Sequence, residues 1–240
     1  ERSGWASPAV GPSTLALLQY TSGSTGTPRG VMVTHDNLLH NHAQMAAAFR
    51  HRPDTVCVTW LPLFHDMGLI GNVLYALYLG GSCVLLSPST FLKQPVRWLR
   101  AVSDYGGTFS GGPNFGFDLC VQRIPHEERA RLDLSTWRSA FSGAEPVRAG
   151  TIARFTDAFA ACGFQPEAFC PSYGLAEATL FVTGGQTGRP PSMLSVDAQA
   201  FGAHTVVPAP AGAEAISVVG CGRSYLGLET LIVDPQDGTR

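Results

Sequence analysis

The chain has 240 residues, enough to bury a sizeable core as one large domain or two small ones. A formal net charge of -2 and a charged fraction of only 14% exclude a strong field for recruiting nucleic acid or an anionic membrane, so local chemistry has to carry any specificity. The six cysteines (Cys57, Cys83, Cys120, Cys162, Cys170 and Cys221) are scattered, with no CxxC and no Cys/His spacing suited to zinc. That usage reads as buried free thiols in a reducing cytosol, and therefore as a cytoplasmic protein.

The chain opens on Glu1 rather than Met and stops in the turn-like Asp237-Gly238-Thr239-Arg240, so an internal piece of a longer protein is expected. Residues 1–12 are turn-rich and read as an entry linker; a strand over 14–20 follows. Next comes Tyr20-Thr21-Ser22-Gly23-Ser24-Thr25-Gly26-Thr27-Pro28-Arg29-Gly30, with five aliphatic hydroxyls, three glycines and one cation in eleven positions. Glycines let backbone N–H groups approach an anion, hydroxyls add short donors and Arg29 adds charge, so this stretch is expected to hold a polyphosphate. The GxxxxGK[ST] order of P-loop NTPases is absent, and the bland alternative is a flexible linker.

A short strand over 31–33 leads to a helix over 36–49 capped by Thr34, with Leu38, Leu39, Met45, Ala46 and Phe49 at helical spacing. A strand over 55–60, a loop over 61–66, a buried helix over 67–79 and a strand over 83–86 come next. Residues 67–92 carry no charge, but Asn72, Gly80-Gly81, Ser82 and Pro88 interrupt them, so no membrane span is expected. The spacing then predicts a helix over 91–103, a strand over 107–110, helices over 115–123 and 125–131, a strand over 139–142, a helix over 147–161 and an extended stretch over 169–173. Alternating strands and helices imply an α/β fold, a layered and largely parallel sheet covered on both faces. Residues 184–212 are rich in Gly, Pro, Ala, Ser and Thr with weak periodicity, which suits a surface insertion or a partly mobile segment. Strands are expected again over 216–219 and 228–233, the start of a β-rich subdomain spanning 213–240.

Four further stretches carry chemistry. Trp60-Leu61-Pro62-Leu63-Phe64-His65-Asp66-Met67-Gly68 lies where a strand gives way to a helix, the usual place for ligand contacts in an open parallel sheet. His65 and Asp66 could form a proton-transfer pair, but neighbours in a chain rarely face one another; His65 reads better as a pocket wall or gate and Asp66 as a helix N-cap with a ligand contact. In Phe109-Ser110-Gly111-Gly112-Pro113-Asn114-Phe115-Gly116-Phe117 the glycines let backbone pass close to a ligand and the aromatics offer apolar walls, or the stretch is a tight turn with two core aromatics. Ser142-Gly143-Ala144-Glu145-Pro146 and Pro171-Ser172-Tyr173-Gly174-Leu175-Ala176-Glu177 both follow strands and should share one sheet edge with the phosphate loop. Tyr173 can stack on a planar base and Glu177 can hold a magnesium ion bridging phosphates.

Together, in this order, these stretches resemble the adenylate-forming superfamily of acyl-CoA synthetases, peptide-synthetase adenylation domains and luciferases. YTSGSTGTPRGV is similar to its phosphate loop, with Arg29 where Lys is common, and YGLAE is similar to its YGxTE motif with Ala176 in place of Thr. The forms WLPLFHDMGLIG, FSGGPNF, FSGAEPV and PSYGLAEATLF most resemble the fatty acyl-AMP ligases. The resemblance implies that Thr21, Ser22, Gly23, Ser24, Thr25, Gly26, Thr27 and Arg29 meet the phosphates of ATP, with Glu177 and Thr21 on Mg²⁺. It places Gly143, Ala144 and Glu145 with Ser172, Tyr173, Gly174, Leu175 and Ala176 around adenine, and His65, Asp66, Met67, Gly68, Gly112, Pro113 and Phe115 near the acyl tunnel or carboxylate. His65, Arg29 and Glu177 are then the catalytic candidates.

It further implies that 1–183 is the α/β part of the large domain, that 184–212 is the family-specific insertion which disfavours CoA, and that the TGD motif and the C-terminal lid with its Lys lie beyond Arg240. The implied activity is ATP-dependent activation of a fatty acid to acyl-adenylate for an acyl carrier protein or a downstream polyketide or peptide synthase module. The rivals are an acyl-CoA synthetase, an amino-acid adenylation domain, and a non-catalytic nucleotide-binding or docking segment.

Overall fold

Short runs of small and apolar residues, buried on both faces, form the middle of a six-stranded sheet in the computed structural model, which describes residues 6, 8–21 and 28–240. Ser22, Gly23, Ser24, Thr25, Gly26 and Thr27 lie outside the described residues. The strands flanking them, β1 (Leu15–Thr21) and β2 (Arg29–Thr34), pair antiparallel with Thr21 opposite Arg29. Thr34 then starts α1 (His35–Phe49) with a capping box: its hydroxyl accepts from the Asn37 N–H at 3.2 Å while Asn37 Oδ1 accepts from the Thr34 N–H at 3.0 Å. Inside α1, buried Asn41 donates to the Phe181 carbonyl at 2.8 Å and accepts from the Phe181 N–H at 3.0 Å, fastening the helix to a sheet edge 140 residues away.

β3 (Val56–Thr59) leads into a segment expected as one helix, which the structure resolves into α2 (Asp66–Gly68), a π-helical turn (Leu69–Leu74) and α3 (Tyr75–Leu79). The side chain of Asn72 donates to the Met67 carbonyl at 2.7 Å inside this segment, the kind of insertion into a helical ladder that accompanies such a turn. β4 (Ser82–Leu85) follows. The helix expected over 91–103 is two, α4 (Pro88–Lys93) and α5 (Val96–Asp104), because Pro95 drives Gln94 out of the helical region to φ -140 and ψ 83.

β5 (Phe109–Gly112) runs two residues later than predicted; Gly111 sits against the Phe141 backbone, too close to admit a side chain, so this glycine pair is strand rather than loop. After α6 (Asn114–Arg123) and the short α7 (His126–Arg129), β6 (Ser139–Ser142) has the bounds expected for it. α8 (Ala149–Phe159) leads to β7 (Phe169–Gly174) and β8 (Phe181–Gly184). The sheet order is β4-β3-β5-β6-β7-β8, parallel throughout except for the antiparallel β7–β8 edge. The chain is therefore α/β as expected. Aromatic rings fill one face of the core: Phe155 packs against Phe159, Phe164 and Phe117 with centroids 4.6, 5.0 and 5.1 Å apart.

Residues 184–212 hold more regular structure than their composition suggests: β9 (Met193–Asp197) and α9 (Ala198–Gly202), with β9 paired antiparallel to β10 (Ala215–Val219). An Arg148 to Val218 bridge joins β10 to the body of the fold. The strand expected over 228–233 is not formed; Leu231 and Ile232 are 50% and 88% exposed, and alternation alone cannot hold a strand that has no neighbour to satisfy its backbone. No helix among the described residues is long and apolar enough to cross a membrane. All six cysteines are free thiols, and burial pushes Cys83 up to about 11 and Cys170 to about 12.

Candidate active site

Because β3, β5, β6 and β7 run parallel, the loops leaving them emerge at one edge of the sheet, where ligands bind in open α/β folds. There they surround a cavity of about 250 Å³. Thr21 at the end of β1, His65, Asp66 and Met67 after β3, Gly143 and Ala144 after β6, and Ser172, Tyr173, Gly174, Leu175 and Ala176 around the end of β7 all line it. Four separate stretches of sequence thus contribute to one space, and each of these residues belongs to the set expected from sequence.

The rest of the lining was not singled out from sequence. Phe49, Phe109, Phe141 and Phe181 build an aromatic wall, with Phe109 4.9 Å from Phe141 and 5.5 Å from Phe49 between centroids. Met45, Leu180, Gly71 and Asn72 complete it. All four phenylalanines are buried core residues by sequence pattern, and only the fold shows that one side of this core is open. Gly71 stands where a Cβ would come within 2.8 Å of Leu180 Cδ2.

At the mouth, the loop carrying His65 is held to β1 by Gln19, whose Nε2 donates to the Phe64 carbonyl at 3.2 Å. His65 and Asp66 do face one another, contrary to the expectation for sequence neighbours: Nδ1 and Oδ1 are 2.7 Å apart. The start of α2 explains it. His65 is the N-cap with extended backbone, so its ring turns back over the first turn, while Asp66, expected as the cap, is the first helical residue. Asp66 Oδ1 also accepts from the Met67 N–H at 2.7 Å. The hydrogen bond to Asp66 raises the His65 pKa above its ordinary value, more than partial burial lowers it.

Gly68, Gly112, Pro113 and Phe115 do not line the cavity. Gly68 is packed against the Pro62 carbonyl and has no room for a side chain, and a Cβ on Gly112 would lie 2.8 Å from Trp60 Cζ2. Phe115, 48% exposed, meets Trp60 edge-on at 5.6 Å. These residues shape the Trp60 loop rather than the cavity surface. Glu145 turns to the protein as well, its Oε1 accepting from the Asn114 N–H at 2.8 Å, while Asn114 Nδ2 donates to the Pro146 carbonyl at 3.0 Å. The two strand-end loops are clamped together by this pair. Ala144 sits between them at φ 66, an unusual conformation for a residue with a Cβ.

Glu177 follows Ala176 in a 3₁₀ turn (Ala176–Ala178), is exposed, and forms no hydrogen bond or ion pair with the described residues. It borders a neighbouring depression beside Asp36 and His40 rather than the main cavity. Arg29 is exposed at the start of β2, across the ladder from Thr21.

The AMP-binding enzyme family matches residues 2–240. The chain is 43% identical over 228 residues to the medium-chain-fatty-acid–[acyl-carrier-protein] ligase TtuA of Teredinibacter turnerae, covering 95% of this chain and 36% of that protein. It is 44% identical over 234 residues to the ligase of the same description JamA of Moorena producens, covering 96% of this chain and 40% of that protein. Among solved structures, a fatty acyl-adenylate ligase from L. pneumophila in complex with acyl adenylate and pyrophosphate superposes with a TM-score of 0.88 at 44% identity, over 92% of this chain and 39% of that one. The chain therefore spans well under half the length of the proteins it matches.

Proposed function

Because the chain belongs to the AMP-binding enzyme family, we propose that it is the portion of a fatty acyl-AMP ligase that holds ATP and a fatty carboxylate side by side, for later transfer of the acyl group to an acyl carrier protein. The observation that carries this reading is the composition of one cavity: an aromatic and aliphatic wall suited to an acyl chain, continuous with the strand-end loops of Gly143 and Tyr173 suited to a nucleotide. The relatives TtuA and JamA, described as acyl-carrier-protein ligases for medium-chain fatty acids, support the choice of substrate and acceptor.

A carboxylate oxygen attacks the α-phosphorus of ATP, the bond from that phosphorus to the bridging oxygen breaks, and pyrophosphate leaves with the electron pair. The carboxylate is already a nucleophile at neutral pH, so no general base is required. What the chain supplies is position and charge. Ser172 and the Gly174 to Ala176 backbone frame the base, with Tyr173 stacking on it. The phosphates are assigned to the hydroxyl- and glycine-rich sequence between β1 and β2 and to Arg29, whose guanidinium is a permanent counter-charge. His65, whose pKa the hydrogen bond to Asp66 raises, stands at the mouth and faces the carboxylate and the α-phosphate.

Glu177, whose carboxylate is unengaged by the described residues, would be the residue to hold Mg²⁺, which would neutralise phosphate charge; Thr21 lines the main cavity rather than the depression that Glu177 borders. In the second half-reaction the phosphopantetheine thiol of the carrier attacks the acyl carbonyl carbon and AMP departs. The segment 184–212, with β9 and α9, is the proposed insertion that disfavours CoA as acceptor.

The full-length protein supplied with ATP, a medium-chain fatty acid, holo acyl carrier protein and CoA together tests the acceptor. Mass spectrometry should find the acyl group on the carrier. Predominant acyl-CoA would support the acyl-CoA synthetase alternative instead.

A further inference from the structure

We propose that Asn114 is a positioning residue for the nucleotide end of the cavity: its side chain holds the Gly143-Ala144 turn against the Ser172-Tyr173 loop in the arrangement that receives ATP. This rests on the reading of those two loops as the nucleotide site. Asn114 is 1% exposed and opens α6 directly after the glycine pair of β5, in a motif whose Gly112, Pro113 and Phe115 stay outside the cavity. Asn114 does not line the cavity either, so it acts through what it binds. Its N–H and both ends of its amide go to one loop. The N–H donates to Glu145 Oε1 at 2.8 Å, Nδ2 donates to the Pro146 carbonyl at 3.0 Å, and Oδ1 accepts from the Arg148 N–H at 2.9 Å.

That loop needs an outside hold. Among the described residues, Ala144, Glu145 and Pro146 take part in no backbone-to-backbone hydrogen bond, so side chains set its shape. Ala144 stands at φ 66, where a Cβ is crowded and a residue persists only when its surroundings restrain it. On the other flank Gly143 has no slack, because a Cβ there would lie 2.8 Å from the Ser172 carbonyl oxygen. The turn is thus fixed between Asn114 and Ser172, and a shift of it moves cavity surface directly, since Gly143, Ala144, Ser172 and Tyr173 all line the cavity. The start of α6 explains the residue type. Pro113, the N-cap, makes no side-chain hydrogen bond to the first turn, and Glu145 supplies an oxygen from the neighbouring loop instead. An asparagine at the next position adds one donor and one acceptor, which match the Pro146 carbonyl and the Arg148 N–H; aspartate lacks the donor and leucine lacks both. The acyl side is held differently, since Phe141 lies within the paired part of β6 and is fixed by the sheet ladder.

The test uses the full-length protein, a medium-chain fatty acid and ATP, with the KM for each substrate read from pyrophosphate release. Asn114→Ala should raise the KM for ATP by roughly tenfold, the scale of one or two lost hydrogen bonds, and leave the KM for the fatty acid within about twofold. A merely structural role would lower the folded fraction, and with it the apparent kcat, while moving neither KM. Asn114→Asp keeps the shape and the acceptor, places its charge at a helix N-terminus and loses only the donor to Pro146, so it reads the same split where the alanine variant does not fold. Unchanged KM values in a folded variant, or a rise for the fatty acid alone or for both substrates alike, overturn the inference while leaving the reading of the site standing. No pyrophosphate release by the unaltered protein with any fatty acid overturns both.

Discussion

Nδ1 of His65 lies 2.7 Å from Oδ1 of Asp66 across the first turn of α2, at the mouth of the cavity. Because the hydrogen bond raises the folded-state pKa of His65 above its ordinary value of 6.5, the pair stabilises the fold fully below that value and loses its contribution as the pH rises through the folded value. With the His65 side chain 48% exposed, the stability effect is small, and the titration itself is the readout. NMR of the imidazole should give a midpoint above 6.5, and Asp66→Asn should lower it. An unchanged midpoint in the variant would remove Asp66 as the cause.

His51 behaves in the opposite sense. Burial, helped by the nearby Arg138 charge, pulls its pKa down to about 3, and both ring nitrogens are engaged, with Tyr75 Oη at 3.0 Å and Ser139 Oγ at 3.1 Å. The unfolded chain binds this proton near pH 6.5 and the folded chain does not, so stability is lost as the pH falls below that point. Acidification from pH 7 to pH 5 should cost about 2 kcal/mol through this residue. Urea titrations at both pH values measure it, and His51→Gln should flatten the slope between them.

Asn41 makes the long-range fastening between α1 and β8 with both ends of its amide. Asn41→Ala leaves the Phe181 N–H and carbonyl without their partner in a buried setting. The expected loss is about 2–4 kcal/mol by denaturant unfolding. A loss under about 0.5 kcal/mol would mean that water replaces the amide.

On the proposed reading of the cavity, Gly71 meters the acyl wall. A side chain there meets Leu180 Cδ2, a flexible tip that can yield, so Gly71→Val should fold and narrow the cavity. In the full-length protein it should raise the KM for a fatty acid roughly tenfold while leaving the KM for ATP within about twofold, the signature of lost space on the acyl side alone. Equal changes in both would place Gly71 at the nucleotide.

Much of this architecture was legible because its signals are local. Thr34 marks the start of α1, and the small apolar run of β6 is bounded by the polar residues that end it. What was not legible was hidden by hydrophobic spacing that runs on unbroken. Pro95 splits a helix whose hydrophobic spacing continues across the break, and the π-helical turn follows from where the Asn72 side chain goes, which spacing does not reveal. For the site, Tyr173, Gly143 and His65 stand out as polar or glycine-rich stretches after strands. Phe49 reads only as core and Phe109, Phe141 and Phe181 only as the flanks of motifs, and the same residue type at the same burial serves both as packing and as cavity wall. Glu145 and Gly112 show the reverse case: residues in a motif whose observed contacts are within the protein.

The central claim, that one cavity joins a fatty carboxylate to ATP, is tested most directly by ATP–pyrophosphate exchange in the full-length protein. Label from pyrophosphate should enter ATP when a medium-chain fatty acid is present and should stay at background with amino acids. Exchange driven by amino acids, or no exchange with any fatty acid by the folded protein, would contradict it.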